Sequence, residues 1–340
     1  MSQASAQGAS PFIGTSDQNA GYDLEEVEVV LFSPLQHTRR SIRDAVHGAG
    51  FRRVDVVTSN DKLRRVIRNG EFDMLVLEAK EHLEAVREHI QDIRHGRLGS
   101  NPFLVINVIT WKPSDDVIRT FIDAGADDII VMPISIGAVM SRVDNIIENR
   151  KKFIATSGYL GPDRRHLNRE DDSDLASFEV PNGVRFKATG DESAKVDLEK
   201  IERANAIVGE HRLRRTTLQF SSFATDMERL INENPDRDIP MSDLSEMSDL
   251  GRYIARHTET DSRPVIRELV ESLQNVMDET IVDGRSEANL FALLRVHGEA
   301  LLALLRGEDE AADLVVRAVL TASEIVDARV HKRKQAAEAE

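Results

Sequence analysis

The chain has no cysteine and one tryptophan, and aromatic residues make up only 5% of its 340 positions. Without thiols there is no disulfide framework, no thiolate metal site and no cysteine nucleophile, a composition suited to a reducing compartment. With so few rings, a stacking platform for single-stranded nucleic acid is not expected. Positive charge is also short: 44 Lys and Arg stand against 59 Asp and Glu, a formal net charge of −15. Nucleic acids reward clustered cations, so no nucleic-acid partner is expected, and the basic run RRVIR (Arg64 to Arg68) reads as the solvated face of a helix. No unbroken run approaches the ~18 apolar residues of a membrane span. The first residues, MSQASAQGASPFIGTSDQNAGYD, have neither the basic start nor the apolar core of a secretory signal. Together these absences predict a cytoplasmic chain without a membrane span. Also missing are a phosphate-cradling glycine loop, a nucleophile elbow and a zinc pattern such as H-E-x-x-H, and the ten histidines are scattered. No enzymatic activity, cofactor or metal is therefore expected.

What is present divides the chain into four parts. Residues 1–25, rich in Ser, Gln, Ala and Gly, read as disordered. From 26 to 152, short apolar runs alternate with helical patterns. VEVVLF (27–32), RVDVV (53–57), DMLVL (73–77), FLVINVIT (103–110) and DIIVMP (128–133) predict five strands, each followed by a helix. Ser114 is an N-cap candidate. Continuous apolar strands alternating with helices predict a parallel sheet covered on both faces, an α/β flavodoxin-like domain with strand order 2-1-3-4-5. In that order the functional end lies at the carboxyl ends of the strands, which singles out Ser33, Pro34, Glu78, Thr110, Met132 and Pro133. Residues 153–195 lose all period and read as a linker, with a short extended piece at SFEVP. From 196 to 338 the pattern is helical (196–233, 241–257, 263–283, 286–306 and 308–337), which predicts an all-α bundle of antiparallel neighbours.

The landmarks of the first half agree in register with one known family. AGADDIIVMP (124–133), Thr110, Arg39, Gly50-Phe51 and FDMLVLE (72–78) resemble the receiver (response-regulator, CheY-like) domain of two-component signalling. RKKFIATSGYLGPDRR (150–165), with NPF (101–103) and Thr110-Trp111, resembles the tail of a group of alphaproteobacterial regulators. The resemblance puts Glu78 at the phosphoacceptor aspartate, Ser33-Pro34 at the acidic pair and Thr110 at the switch hydroxyl. Met132 falls on the phosphate-pairing lysine and Ile129 on the switch aromatic. In the family the three acids hold Mg²⁺, a hard cation that wants carboxylate oxygens. Ser33 and Pro34 supply none, so tight Mg²⁺ binding is not expected.

The resemblance implies a degenerate site, and an atypical receiver that works by contact with protein partners, a histidine kinase or another signalling protein, or with a second copy of itself. A partner-binding module of this kind is expected to expose an apolar patch on its helical half. The alternative is a phosphorelay component that accepts phosphate at Glu78 or at His297, which lies on the apolar stripe of Leu290, Leu294, Leu301 and Leu305. A third reading uses the arginines Arg164, Arg165 and Arg169 to dock a partner or a phosphate ligand. Arg165 and Arg169 also resemble the Arg-x-x-x-Arg motif of cyclic-di-GMP-binding domains.

Overall fold

The structure is a computed structural model that describes residues 21–111, 113–156, 158–165, 176–234, 239–282, 288–307 and 316–323. Five parallel strands form its first sheet: β1 (Glu28–Phe32), β2 (Arg53–Val57), β3 (Met74–Glu78), β4 (Val105–Trp111) and β5 (Asp128–Met132). Their order is β2-β1-β3-β4-β5. Every residue of β3 is buried, as a strand covered on both faces requires. At one edge β2 alternates, with Arg53 and Asp55 exposed and Val54 and Val56 half-buried between them and Val57.

Helices α1 (Gln36–Gly48) and α5 (Ile136–Asn149) cover one face. Ile42, Val46, Val139, Val143 and Ile146 pack there against Val29, Leu31 and Val76. On the other face lie α2 (Asn60–Asn69), α3 (Leu83–Arg94) and α4 (Asp115–Ala124). Leu63, Ile67, Ile90, Ile93 and Phe121 pack there against Val30, Leu75 and Leu77. Each helix therefore turns one apolar stripe inward. Ser114 caps α4 by accepting from the Val117 amide. Gly125 ends α4 at φ 97°, and a Cβ there would lie 2.5 Å from the Leu160 carbonyl oxygen, so glycine answers both a left-handed turn and a close chain approach.

The segment read as a linker is folded in the structure wherever it is described. Strands β6 (Phe153–Ala155) and β7 (Leu160–Pro162) form an antiparallel hairpin, and Phe178 bridges to Phe153. Helix α6 (Gly183–Thr189) and a 3-10 turn (Glu192–Ala194) follow. Such short elements have no room for a hydrophobic period. They are held by charged groups that a sequence assigns to the surface. Arg94 is 1% exposed and donates to the carbonyls of Gly125, Pro102 and Leu104 and to Asp127. Arg150 donates to Asp127, Pro181 O and Phe103 O. Both guanidinium groups lie against the Phe153 ring, 5.1 and 5.2 Å from its centroid.

The remainder is helical: α7 (Leu198–Glu233), α8 (Met241–Thr258), α9 (Pro264–Val282), α10 (Ala288–Arg306), and residues 316–323. Helix α7 is one unbroken element of 36 residues, about 54 Å long at 1.5 Å per residue. Its first half, with Ile201, Ala204 and Val208, packs on the hairpin and Phe103. Its second half, with Phe220, Ala224 and Met227, enters the bundle core beside Met247, Leu273, Phe291 and Leu301. Between the halves, Arg212 donates to His95 Nδ1 at the end of α3 and to the Thr156 carbonyl. Helix α10 is long and apolar enough to cross a membrane by length and composition, at a mean hydropathy of 1.4. Arg295, His297 and Glu299 interrupt its apolar sequence, so the helix contains no unbroken apolar run of that length. More than half of its apolar window is buried inside the bundle, where it packs on α7 and α9 as a core helix does. Gly298 lets α10 approach α7 closely: a Cβ there would lie 2.9 Å from Ser221 Cβ.

Candidate functional site

The carboxyl end of the sheet gathers the residues that the sequence singles out. Glu78 closes β3 and is 1% exposed. Ser33, the first residue after β1, is fully buried, and its amide donates to Val57 O. The Ser33 hydroxyl donates to Glu78 Oε2 at 2.5 Å. The other carboxyl oxygen, Oε1, is shielded from solvent and has no hydrogen-bond partner. Thr110 is buried one strand over, just beyond the Glu78–Ile109 register pair. Met132 is buried at the end of β5, in register with Trp111, and its bond to Pro133 is cis. Arg39 reaches back from α1 to the Ser33 carbonyl. The Lys80 ammonium lies over the exposed Trp111 ring, 4.8 Å from its centroid. Nothing in the spacing of Thr110-Trp111 indicates a lysine above the ring.

The other candidates stand elsewhere. His297 is 0% exposed in the bundle core. Its Nδ1 donates to Leu293 O, and Nε2 accepts from Ser272 Oγ at 2.9 Å, with Ser323 Oγ 3.3 Å away. Burial pushes it from the ordinary 6.5 down to about 4. Both ring nitrogens are engaged and enclosed, which leaves none facing a phosphodonor. Arg164 donates to the carbonyls of Ala126 and Asp127 and thereby fastens the tail to the turn before β5. Arg165 folds onto Asp163. Arg169 lies outside the described residues.

Mg²⁺ is the metal of the receiver family that the sequence resembles, and the residues present do not fit it. The site offers one carboxyl group, half of it engaged by a serine, beside the apolar Pro34 and Met132. Among the described residues no group of three His, Cys, Asp or Glu could hold a metal ion. An octahedral shell of hard oxygen ligands has no counterpart in this donor set. Phosphoryl transfer also needs a nucleophile that the donor can reach in line, with cations to receive the phosphate oxygens. Here the free oxygen of Glu78 is enclosed, and Lys80 rests on an indole.

Five strands in the order 2-1-3-4-5 between two helix layers are the receiver architecture. Solved structures similar to this chain include response regulators and receiver domains. One is a response regulator from Thermotoga maritima, 22% identical, covering 36% of this chain and 99% of its own, with a TM-score of 0.32. Another is an orphan response regulator of H. pylori, 23% identical, covering 35% of this chain and 94% of its own, TM-score 0.28. A third is the receiver domain of a sensor histidine kinase from Pseudomonas aeruginosa, solved with magnesium in its active-site cleft; it is 16% identical and covers 35% of this chain and 94% of its own, TM-score 0.31. No family model matches the chain, and no curated protein matches it.

Proposed function

We propose that this is an atypical two-component signalling protein, a pseudo-receiver joined to a helical bundle, which acts in the cytoplasm by protein–protein contact and not by aspartyl phosphorylation. The single observation that supports this reading best is the Ser33–Glu78 bond. It fills the place of an acidic, metal-binding pocket with a closed pair whose one free oxygen is buried. The phosphorelay alternative is less well served, since His297 is enclosed in the bundle and Glu78 lacks both metal ligands and a phosphate-pairing lysine.

The exposed apolar side chains support contact as the mode of action, although they lie away from the helical half. Leu83, Trp111, Val131, Ile136 and Met140 are exposed at or near the carboxyl end of the sheet. Among the described residues the helical half adds only Leu198 and Met241 as large exposed apolar groups. The bundle turns its apolar residues inward, so the partner surface is the α/β domain, with a histidine kinase, another signalling protein or a second copy of the chain as the partner.

The test is intact mass after incubation with Mg²⁺ and acetyl phosphate, with wild type beside Glu78→Ala and His297→Ala. No added phosphate is expected on any of the three. An adduct on wild type that disappears in either variant would overturn the reading in favour of phosphorelay.

A further inference from the structure

At the opposite end of the sheet, where the strands begin, a cavity of about 410 Å³ opens between the α/β domain and the segment that leads into α7. That volume lies within the ~300–1,000 Å³ range of small-molecule sites, which favour junctions between domains. Two partly exposed rings, Phe72 and Phe186, line the cavity from separate parts of the chain, together with Phe103. Phe103 is fully buried and belongs to the cluster that seats α7, so the cavity shares a wall with the domain junction.

The charges around it are unequal. Four carboxylates line it (Glu28, Glu71, Asp73 and Asp197) against two ammonium groups, Lys187 and Lys195. Lys187 is committed to Asp73 at 2.9 Å, with Glu28 at 3.8 Å. Glu28 also pairs with Arg53, and Asp197 caps α7. Glu71 has no ion pair among the described residues. The face of Phe186 already receives a cation, with Lys195 Nζ 5.7 Å from the ring centroid. Aromatic walls, an acidic rim and an unpaired carboxylate form a site that favours positive charge on an apolar body.

We propose that this cavity binds a small aromatic organic cation, whose ring lies against Phe72 and Phe186 and whose positive group faces Glu71. The site is separate from the Ser33–Glu78 end, and the proposal does not depend on how that end functions. A bound ligand would touch both the α/β domain and the first turns of α7, and would tighten their docking.

The experiment uses the full chain at ~0.15 M salt, where exposed charges are screened beyond ~8 Å. The probes are auramine O, a cationic aromatic dye that fluoresces when immobilised, and the anionic 8-anilinonaphthalene-1-sulfonate. Auramine O is expected to bind saturably at one site per chain, at least tenfold more tightly than the anionic dye. Ser100→Phe, which places a ring at the mouth from an exposed loop position, should weaken auramine O at least tenfold, and so should Val196→Phe. Glu71→Gln should weaken it severalfold, and Lys195→Gln should tighten it. Circular dichroism and melting temperature confirm that each variant is folded; if Val196→Phe is not, Ser100→Phe decides. The proposal is overturned if auramine O shows no saturable site, if its affinity in folded Ser100→Phe stays within threefold of wild type, or if the anionic dye binds as tightly.

Discussion

Replacing Asp127 with asparagine tests the structure at its most concentrated point. Asp127 is 4% exposed in its side chain, and its two oxygens accept from Arg94, Arg150 and the Ile106 amide at 2.8 to 2.9 Å. Burial pulls Arg94 down to about 10, still well above neutral pH, so losing the carboxylate leaves two buried cations without a counter-charge. Breaking a buried ion pair typically costs about 3–5 kcal/mol. The backbone carbonyls that both guanidinium groups retain keep the expected loss near the middle, about 4 kcal/mol. At about 2–4 °C per kcal/mol for a unit of this size, the melting temperature should fall by about 8–16 °C. The assay is thermal unfolding followed by circular dichroism, at low salt and again at 1 M NaCl. The pairs are buried, so salt should change the deficit little. A fall of less than about 2 °C in Asp127→Asn would refute the claim that this carboxylate fastens residues 150–165 to the α/β domain.

Three further outcomes are expected. Burial holds His297 well below its ordinary value, so the folded chain binds fewer protons than the unfolded chain between about pH 6.5 and pH 4. The stability due to neutral His297 is complete above pH 6.5 and fades as the pH falls through 4, by about 3 kcal/mol in all; urea unfolding at pH 7 and 4.5 should show this component in wild type and lose it in His297→Gln. Gly298→Ala should destabilise the bundle by about 1–3 kcal/mol through the clash with Ser221, although helix propensity alone favours Ala by about 1 kcal/mol. The sign of the change in a denaturant titration therefore separates packing from propensity. The combined variant Ser33→Asp, Pro34→Asp, Glu78→Asp and Met132→Lys should gain Mg²⁺-dependent quenching of Trp111, the chain's single tryptophan, with no such response in wild type.

The parts of the fold with long apolar signals were legible in the sequence. β3 is a buried run, α4 is bracketed by Ser114 and Gly125, and α10 carries Leu294 and Leu301 on one stripe, so element type and strand order follow from pattern alone. Register then brought Ser33, Glu78, Thr110 and Met132 to one end of the sheet. What could not be read were features decided by single side chains. A three-residue strand such as Phe153–Ala155 has no period. Arg94 and Arg150 look like surface charges until Asp127 and the surrounding carbonyls enclose them. The Ser33–Glu78 bond joins residues 45 positions apart, each of which could be placed, although their direct contact could not. Lys80 over Trp111 leaves no trace in either residue's neighbours.

Helix α7 carries a consequence for how the two halves of the chain are timed to one another. A helix advances about 100° and 1.5 Å with each residue. The stripe of Ile201, Ala204 and Val208 and the stripe of Phe220, Ala224 and Met227 are therefore locked in angular phase, like two cams cut on one shaft. Inserting one residue near Gly209 would leave both stripes intact and each half able to fold, yet would turn one cam by more than a quarter of a revolution against the other. Inserting a whole turn would nearly restore the phase and change only the spacing. The bundle thus takes its orientation from the α/β domain through the count of residues between Val208 and Phe220, a quantity that composition does not reveal and that substitutions there leave unchanged.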